Sequence, residues 1–325
     1  MVSREDVIAA YRLFLEREPE SEQAVRAHME SFQNLEQLRQ SFFQAPEFRG
    51  RSPESQGTLP IDQAQAIEVE VDVGDAALER LLARVEECWS RLGREEPYWS
   101  VLSGPRFRMA NFAQNEQHYQ GSGESDLLRL LTWLERNGVD PSALGSLLEF
   151  GCGTGRVTRW LCSQFPRVVA CDISEPHLVL AQEHLERSGC RNVEFRQVRS
   201  IGQLGLLPEA DLIYCVLVLQ HNPPPVIALL LRRLLACLTP GGLAFFQVPT
   251  YARDYRFRCS EHLSKPLPKG SFEMHVLPQR DVFAIVQKAE CDVLEVLPDG
   301  CVGNPEWISN TFLVRRRVRT NSEKN

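Results

Sequence analysis

The chain has 325 residues, of which 43% are hydrophobic, so it can bury the core of one large domain plus an appendage. Its formal net charge is −7, with 43 acidic residues against 36 lysines and arginines. Surfaces that bind nucleic acid carry a basic field, so this balance argues against a nucleic-acid partner and favours a small or neutral substrate.

Ten cysteines are scattered along the chain without a C-x-x-C pair, and several lie in apolar segments. This pattern predicts reduced core cysteines, with neither a disulfide framework nor a zinc site. Residues 1–6 lack the pattern of a signal peptide, and no apolar run approaches the roughly 18 residues that a membrane span requires. We therefore expect a cytoplasmic protein without a membrane span.

Residues 1–50 predict a small all-helical module. Ser3 and Asp6 can cap a first helix, and Pro19 ends that helix or begins the next. Two apolar stripes recur at helical spacing: Val7, Tyr11, Phe14 and Leu15, then Leu35, Leu38, Phe42 and Phe43.

Short strings within this module carry a resemblance of their own. Residues 11–19, YRLFLEREP, and residues 45–48, APEF, are similar to a helical module attached to bacterial glycosyltransferases and other glycan enzymes. The resemblance implies a glycan-enzyme partner or a homo-oligomer formed through this module. A plain helical hairpin used for docking or dimerisation is the alternative.

Residues 51–74 are polar, contain several prolines and glycines, and carry no helical stripe, so they predict a linker. Apolar positions then recur at helical spacing from Asp75 to Leu92 and predict a helix. We assign residues 75–123 to a helical segment that precedes the sheet.

The segment 147–156, LLEFGCGTGR, combines an apolar run, three alternating glycines and the start of a helical pattern. It predicts a buried strand, a tight turn and a helix N-terminus. Glycine lets the chain bend sharply and lets a ligand contact bare backbone, while the N–H groups of the helix attract polar or anionic groups. The spacing G-x-G-x-G, with Glu149 at the strand end, differs from the dinucleotide fingerprint G-x-G-x-x-G.

A second short buried strand ends at Asp172. A carboxylate at that place can accept hydrogen bonds from both ribose hydroxyls of a nucleoside. The alternative role is a helix cap, but Ser174, just before Glu175-Pro176, already occupies the N-cap position of the next helix.

From residue 124 onward, helices and strands alternate. The alternation predicts an α/β fold with a doubly wound, mostly parallel, seven-stranded sheet and right-handed crossovers. The predicted strands are 147–150, 167–172, 192–195, 211–217, 243–248, 292–296 and 311–315. The glycine turn, Asp172 and this order of elements together resemble the class I S-adenosylmethionine (SAM) methyltransferases over residues 124–325.

The resemblance implies SAM as the cofactor and residues 75–123 as a lid over it. The residues it assigns to the cofactor are Glu149, Gly151, Cys152, Gly153, Gly155, Arg156, Asp172, Ile173, Ser200, Ile201, Val216 and Tyr119. In this family an acid commonly follows the third strand and bonds the adenine amino group, but here Arg199 stands at that place. We therefore expect adenine to be held by backbone near Ser200 and Ile201, or by Gln197.

Catalytic groups are expected after the fourth and fifth strands, because ligands in open α/β sheets bind outside the carboxyl ends of the strands. Gln220 and His221 follow the fourth strand, and three prolines stiffen the loop after them. Histidine titrates near neutral pH, so His221 could remove a proton from a hydroxyl or amine. The alternative is that His221 hydrogen-bonds backbone and only shapes the loop.

Residues 249–277 exceed what a strand-to-helix connection needs and predict a substrate cap. Within the cap, Glu273 and His275 are further candidate catalytic residues. The predicted substrate contacts are Gln220, Tyr251, Tyr255 and Trp99.

These features predict methyl transfer from SAM to an oxygen or nitrogen of a small polar metabolite or glycan unit. We expect no metal, because Asp211 begins the fourth strand without a following acidic neighbour. Two alternatives are a protein or nucleic-acid methyltransferase and a SAM-binding scaffold without catalysis.

Overall fold

A computed structural model describes residues 2–15, 17–45 and 66–318, which separate into two compact units within residues 1–64 and 65–325. The first unit contains helices α1 (Arg4–Leu15), α2 (Glu22–Ser31) and α3 (Leu35–Gln44). Ser21 and Asn34 accept backbone N–H groups and cap α2 and α3. Its buried core consists of Val2, Val7, Ala10, Tyr11, Leu15, Val25, Leu38 and Phe42. The predicted helical module is confirmed, with residues 46–50 outside the described part.

The strands of the larger unit among the described residues are β1 (Glu68–Val69), β2 (Ser146–Phe150), β3 (Arg167–Asp172), β4 (Val193–Gln197), β5 (Ala210–Cys215), β6 (Leu238–Ala252), β7 (Arg256–Phe257), β8 (Cys291–Asp299) and β9 (Trp307–Arg316). Seven of them form one sheet in the order β4-β3-β2-β5-β6-β9-β8. Strand β9 runs antiparallel to β6 and β8, and the other neighbours are parallel. The predicted doubly wound sheet is therefore confirmed.

The α-helices of this unit among the described residues are α4 (Asp75–Glu95), α5 (Pro97–Val101), α6 (Met109–Arg136), α7 (Thr158–Gln164), α8 (Glu175–Arg187), α9 (Ile201–Leu204), α10 (Pro224–Ala236), α11 (Cys259–Ser264) and α12 (Gln279–Lys288). Helix α6 is continuous across residues 123 and 124, where the sequence suggested a boundary. The helix contains Gly121 and Gly123, and a helix tolerates isolated glycines.

Two apolar layers cover the faces of the sheet. Leu147 and Leu148 are neighbours in β2 and enter different clusters, because successive side chains of a strand point to opposite faces. Helices α4, α10 and α12 contribute to one layer, and helices α6 and α7 contribute to the other. Burial on both faces explains why the central strands appear in the sequence as continuous apolar runs.

The predicted linker 51–74 differs from the structure at its C-terminal end. Strand β1 pairs in parallel with β7, and Glu70 accepts a 2.7 Å hydrogen bond from the Cys259 N–H. The side chains of Val69, Val71 and Val73 pack against the core of the larger unit. Alternating valines and acids form a half-buried strand here, whereas residues 51–65 lie outside the described part.

The pairing of β1 with β7 determines how far the chain can be truncated from its N-terminus without loss of stability. We expect a chain that starts at Gln65 to keep the unfolding midpoint of the larger unit. A chain that starts at Gly74 loses β1 and three half-buried valines, which should lower its free energy of unfolding by roughly 2–3 kcal/mol. Urea denaturation of both chains followed by circular dichroism measures the difference. Equal midpoints for the two starts would show that β1 adds nothing to stability.

One pair of cysteines corrects the expectation of a fully reduced protein. Cys162 in α7 and Cys190 after α8 form a disulfide, with Cα atoms 6.4 Å apart. The two positions are brought together by helices packed on one face of the sheet, and their separation in sequence carries no sign of that. The other eight cysteines are free. Among the described helices, none combines the length and apolar character needed to cross a bilayer.

Candidate functional site

The glycine turn after β2 presents bare backbone to a cavity at the carboxyl ends of the parallel strands. Gly151, Gly153 and Gly155 have φ values of 82°, 54° and 78°, which favour glycine. A Cβ at Gly151 would lie 2.2 Å from Val218, and one at Gly153 would lie 2.8 Å from Val101. Side chains therefore approach this backbone directly from the β5 edge and from helix α5.

Asp172 connects β3 to the glycine turn. Its Oδ2 accepts a hydrogen bond from the Gly153 N–H and its Oδ1 accepts one from the Ser174 N–H, both at 2.8 Å. The carboxylate lines the cavity. An ionised carboxylate offers about four lone-pair positions, so these two bonds leave room for further donors. Asp172 can thus organise the turn and still accept hydroxyl groups.

Glu149 carries an unsatisfied polar atom at the cavity wall. The side chain is 3% exposed, and its Oε2 has no hydrogen-bond partner among the described residues. Burial raises the pKa of Glu149 to about 7, although the nearby Arg156 opposes the shift. A buried acceptor without a donor is costly, by about 1–3 kcal/mol. The site therefore suits a ligand that brings a cationic or N–H donor to this position.

Eight of the twelve residues predicted to bind the cofactor line this one cavity. They are Glu149, Gly151, Cys152, Gly153, Arg156, Asp172, Ile173 and Val216. The apolar side chains of Val198 and Leu204 close the end of the cavity next to β4. The structure thus brings together residues that follow β2, β3 and β5, as expected for the carboxyl edge of an open sheet.

The other four do not line the cavity. Tyr119 is fully buried, and its hydroxyl bonds the Thr154 hydroxyl in the glycine turn at 2.7 Å. Ser200 caps helix α9, and the Ile201 N–H donates to Glu79 at 3.3 Å. Gly155 packs the turn against α8, because a Cβ there would meet Leu185 at 2.7 Å.

His221 lies in the cavity wall with both ring nitrogens engaged. Gln247 donates its side-chain N–H to Gln220 Oε1 at 3.0 Å, so the Gln220 amide nitrogen is oriented to donate to His221 Nε2 at 3.1 Å. His221 Nδ1–H in turn donates to the backbone oxygen of Glu273 at 3.1 Å. Burial lowers the pKa of His221 to about 4, so the ring is neutral at pH 7.

Trp89 and His177 are among the cavity residues that the sequence analysis did not assign to the site. Trp89 was assigned only to the apolar stripe of α4, yet its ring lies 5.1 Å from the His221 ring. His177 lines the cavity and connects α8 to α5, since its ring nitrogens bond the hydroxyls of Ser174 at 2.8 Å and Ser100 at 2.9 Å. The sequence could have indicated His177, because it lies in the first turn of the helix after Asp172. That turn begins at the carboxyl ends of the strands, where ligands bind in open α/β sheets.

The remaining predicted substrate and catalytic residues do not line this cavity. Glu273 pairs with Arg84 at 2.9 Å, and the Tyr255 hydroxyl bonds His275 Nδ1 at 2.8 Å. Trp99 stacks under the Arg108 guanidinium at 3.6 Å, and Tyr251 lies on β6, paired with Ile308. Gln220 is buried between Gln247 and His221.

Comparisons with known proteins agree with this geometry. Residues 147–242 match the family described as methyltransferase domain. The chain is 30% identical over 131 residues to ubiquinone biosynthesis O-methyltransferase of Pseudomonas fluorescens (strain SBW25), covering 39% of this chain and 55% of that protein. The chain is also 27% identical over 151 residues to the protein of the same name from Acinetobacter baylyi (strain ATCC 33305 / BD413 / ADP1), covering 44% of this chain and 62% of that protein. The chain thus spans less than two thirds of these relatives.

A solved structure supports the fold. Magnesium protoporphyrin IX methyltransferase from Synechocystis PCC 6803, crystallised with bound S-adenosylhomocysteine, superposes with a TM-score of 0.50 at 16% identity. The superposition covers 73% of this chain and 99% of that one. The match over residues 147–242, the order of the strands and this superposition together show that the larger unit has the fold of the class I methyltransferases.

Proposed function

We propose that this chain is a SAM-dependent methyltransferase that acts on an oxygen or nitrogen of a small polar metabolite or glycan unit. The observation that carries the proposal is the unpartnered Glu149 Oε2 beside bare glycine backbone and Asp172, all at one cavity. Two of these groups match polar parts of SAM. The ammonium group suits Glu149, and the ribose hydroxyls suit Asp172.

Bound SAM would supply an already activated methyl group on a sulfonium ion. The protein then has to align the acceptor, exclude water and take one proton. Trp89, Phe272 and His221 form an aromatic cluster, with Phe272 centred 4.6 Å from the His221 ring, and Trp89 and His221 of this cluster line the cavity. In this proposal His221 Nε2 accepts the acceptor's proton after the Gln220 amide turns away.

An oxygen acceptor has the stronger support. The matched relatives bear the name ubiquinone biosynthesis O-methyltransferase, and the net charge of −7 suits a small acceptor better than nucleic acid. Mass spectrometry of small polar metabolites and glycan units incubated with SAM tests the reaction. Binding of SAM without methylation of any of them would favour the scaffold or macromolecular alternatives.

The cofactor assignment is tested by Asp172→Ala, which we expect to weaken SAM binding by more than tenfold. The change removes bonds to the ribose, each worth about 1.5–3 kcal/mol, as well as the tie to Gly153. Isothermal titration with SAM measures the affinity, and circular dichroism checks the fold. The control is Asp292→Ala, whose carboxylate pairs with Arg317 outside the cavity. Equal SAM affinity in the two variants would contradict the role of Asp172.

A further inference from the structure

Three side chains of the predicted cap converge outside the SAM cavity. His262 lies on α11, and Glu273 and His275 follow it in the cap. The Nε2 atoms of His262 and His275 lie 3.5 and 3.8 Å from Glu273 Oε2, and all three atoms lie within 4.8 Å of one another. Each histidine is only 6% exposed.

The two histidine nitrogens point at the carboxylate without bonding it. Neither Nε2 has a hydrogen-bond partner among the described residues, and both separations exceed the usual 2.7–3.2 Å of an N–H···O bond. Ligands of a tetrahedral zinc ion lie about 2.0–2.2 Å from the metal, which places neighbouring donor atoms about 3.4 Å apart. The spacing therefore suits a shared ion better than a hydrogen bond.

Neighbouring groups orient the three donors. The Tyr255 hydroxyl bonds His275 Nδ1 at 2.8 Å, which leaves Nε2 facing the carboxylate. Arg84 bonds Glu273 Oε1 at 2.9 Å and leaves Oε2 facing the histidines. Partners of this kind hold metal ligands in place in many proteins.

We propose that His262, Glu273 and His275 form a binding site for a divalent transition-metal ion of the zinc class. Two imidazoles and one carboxylate are a ligand set that zinc accepts. The ion would stand where the three donors meet, while the guanidinium of Arg84 stays on the far carboxylate oxygen.

The site would stabilise the segment that supports His221. The Glu273 backbone oxygen accepts the His221 Nδ1–H, and the His275 N–H donates to the Gln220 backbone oxygen at 2.7 Å. A metal fixed by the side chains of Glu273 and His275 would hold both backbone contacts. The three ligands are positioning residues in this view, since their side chains lie outside the cavity lining.

Titration of EDTA-treated full-length protein with Zn²⁺ tests the site, with Co²⁺ absorption as a second readout. We expect one tightly bound Zn²⁺ per chain and a rise in the melting temperature on its addition. His262→Ala and Glu273→Gln should each weaken Zn²⁺ binding by more than the 10–100-fold typical of an outer partner, which is the loss expected for Tyr255→Phe.

His184→Ala is the matched control, because His184 is also buried with an unpartnered Nε2 but belongs to no such cluster. It should keep the wild-type affinity for Zn²⁺. The proposal is overturned if the wild type binds Zn²⁺ no more tightly than His262→Ala and Glu273→Gln, or if His184→Ala loses as much affinity as they do. SAM titration of the same variants reports separately on the proposed function.

Discussion

Replacing Gly123 with alanine is expected to lower the free energy of unfolding by about 1–3 kcal/mol. A Cβ at this position would lie 2.2 Å from the Arg156 backbone oxygen and 2.9 Å from the Trp160 ring. The Arg156 backbone cannot move aside as a flexible side chain can. Helix α6 would therefore have to shift away from the segment that follows the glycine turn. Because Arg156 also lines the cavity, we expect weaker SAM binding as well.

Gly121→Ala is a control within the same helix. A Cβ at Gly121 meets nothing within 4 Å, so the substitution should gain the usual helix preference of alanine, about 0.5–1 kcal/mol. Urea denaturation of both variants isolates the close approach at Gly123 from helix propensity. If both variants gain stability, the contact between α6 and Arg156 is looser than 2.2 Å implies.

The central sheet could be predicted because its signals are local. The runs 147–150 and 243–248 are apolar except for Glu149 and Gln247, as expected of strands buried on both faces, and glycines end or begin them. The short strand β1 could not be predicted, because its partner β7 lies far along the chain. The Cys162–Cys190 disulfide was missed for the same reason, since only packing of the helices brings the two sulfurs together.

The residues of the candidate site also differ in whether their sequence signal is local. The glycine turn and Asp172 carry their signal within a few residues, and the structure places them on one cavity. Trp89 and His177 reach this cavity from helices α4 and α8. Residues that face the core and residues that face the cavity have the same spacing along these helices, so the sequence pattern does not distinguish them. The cluster of His262, Glu273 and His275 was not predicted, because metal ligands were expected only as carboxylates after the fourth strand.

His221 has two competing roles, and its hydrogen bonds give each a distinct consequence. As a base it must free Nε2 from the Gln220 amide, and its pKa near 4 keeps it neutral above about pH 5. As a loop-shaping residue it needs only the Nδ1–H bond to the Glu273 oxygen. Glutamine at position 221 can still donate such a bond but cannot accept a proton near neutral pH.

We expect His221→Ala to lower turnover by about 10²–10⁴ and to leave SAM affinity within about threefold. His221→Gln should lose as much, because the base is absent in both variants. The measurement is the rate of S-adenosylhomocysteine formation with the acceptor that mass spectrometry identifies.

The pH profile adds an independent check on the same role. A base whose pKa lies near 4 is deprotonated from about pH 5 upward, so its own titration leaves wild-type turnover flat between pH 5 and 8. The deficit of His221→Ala should shrink at high pH, where the acceptor ionises unaided. Near-normal turnover by His221→Gln would instead assign His221 to loop shaping, because the bond to the Glu273 oxygen would then suffice. Full turnover by His221→Ala together with loss of activity in Glu273→Ala or His275→Ala would instead place the base on the cap.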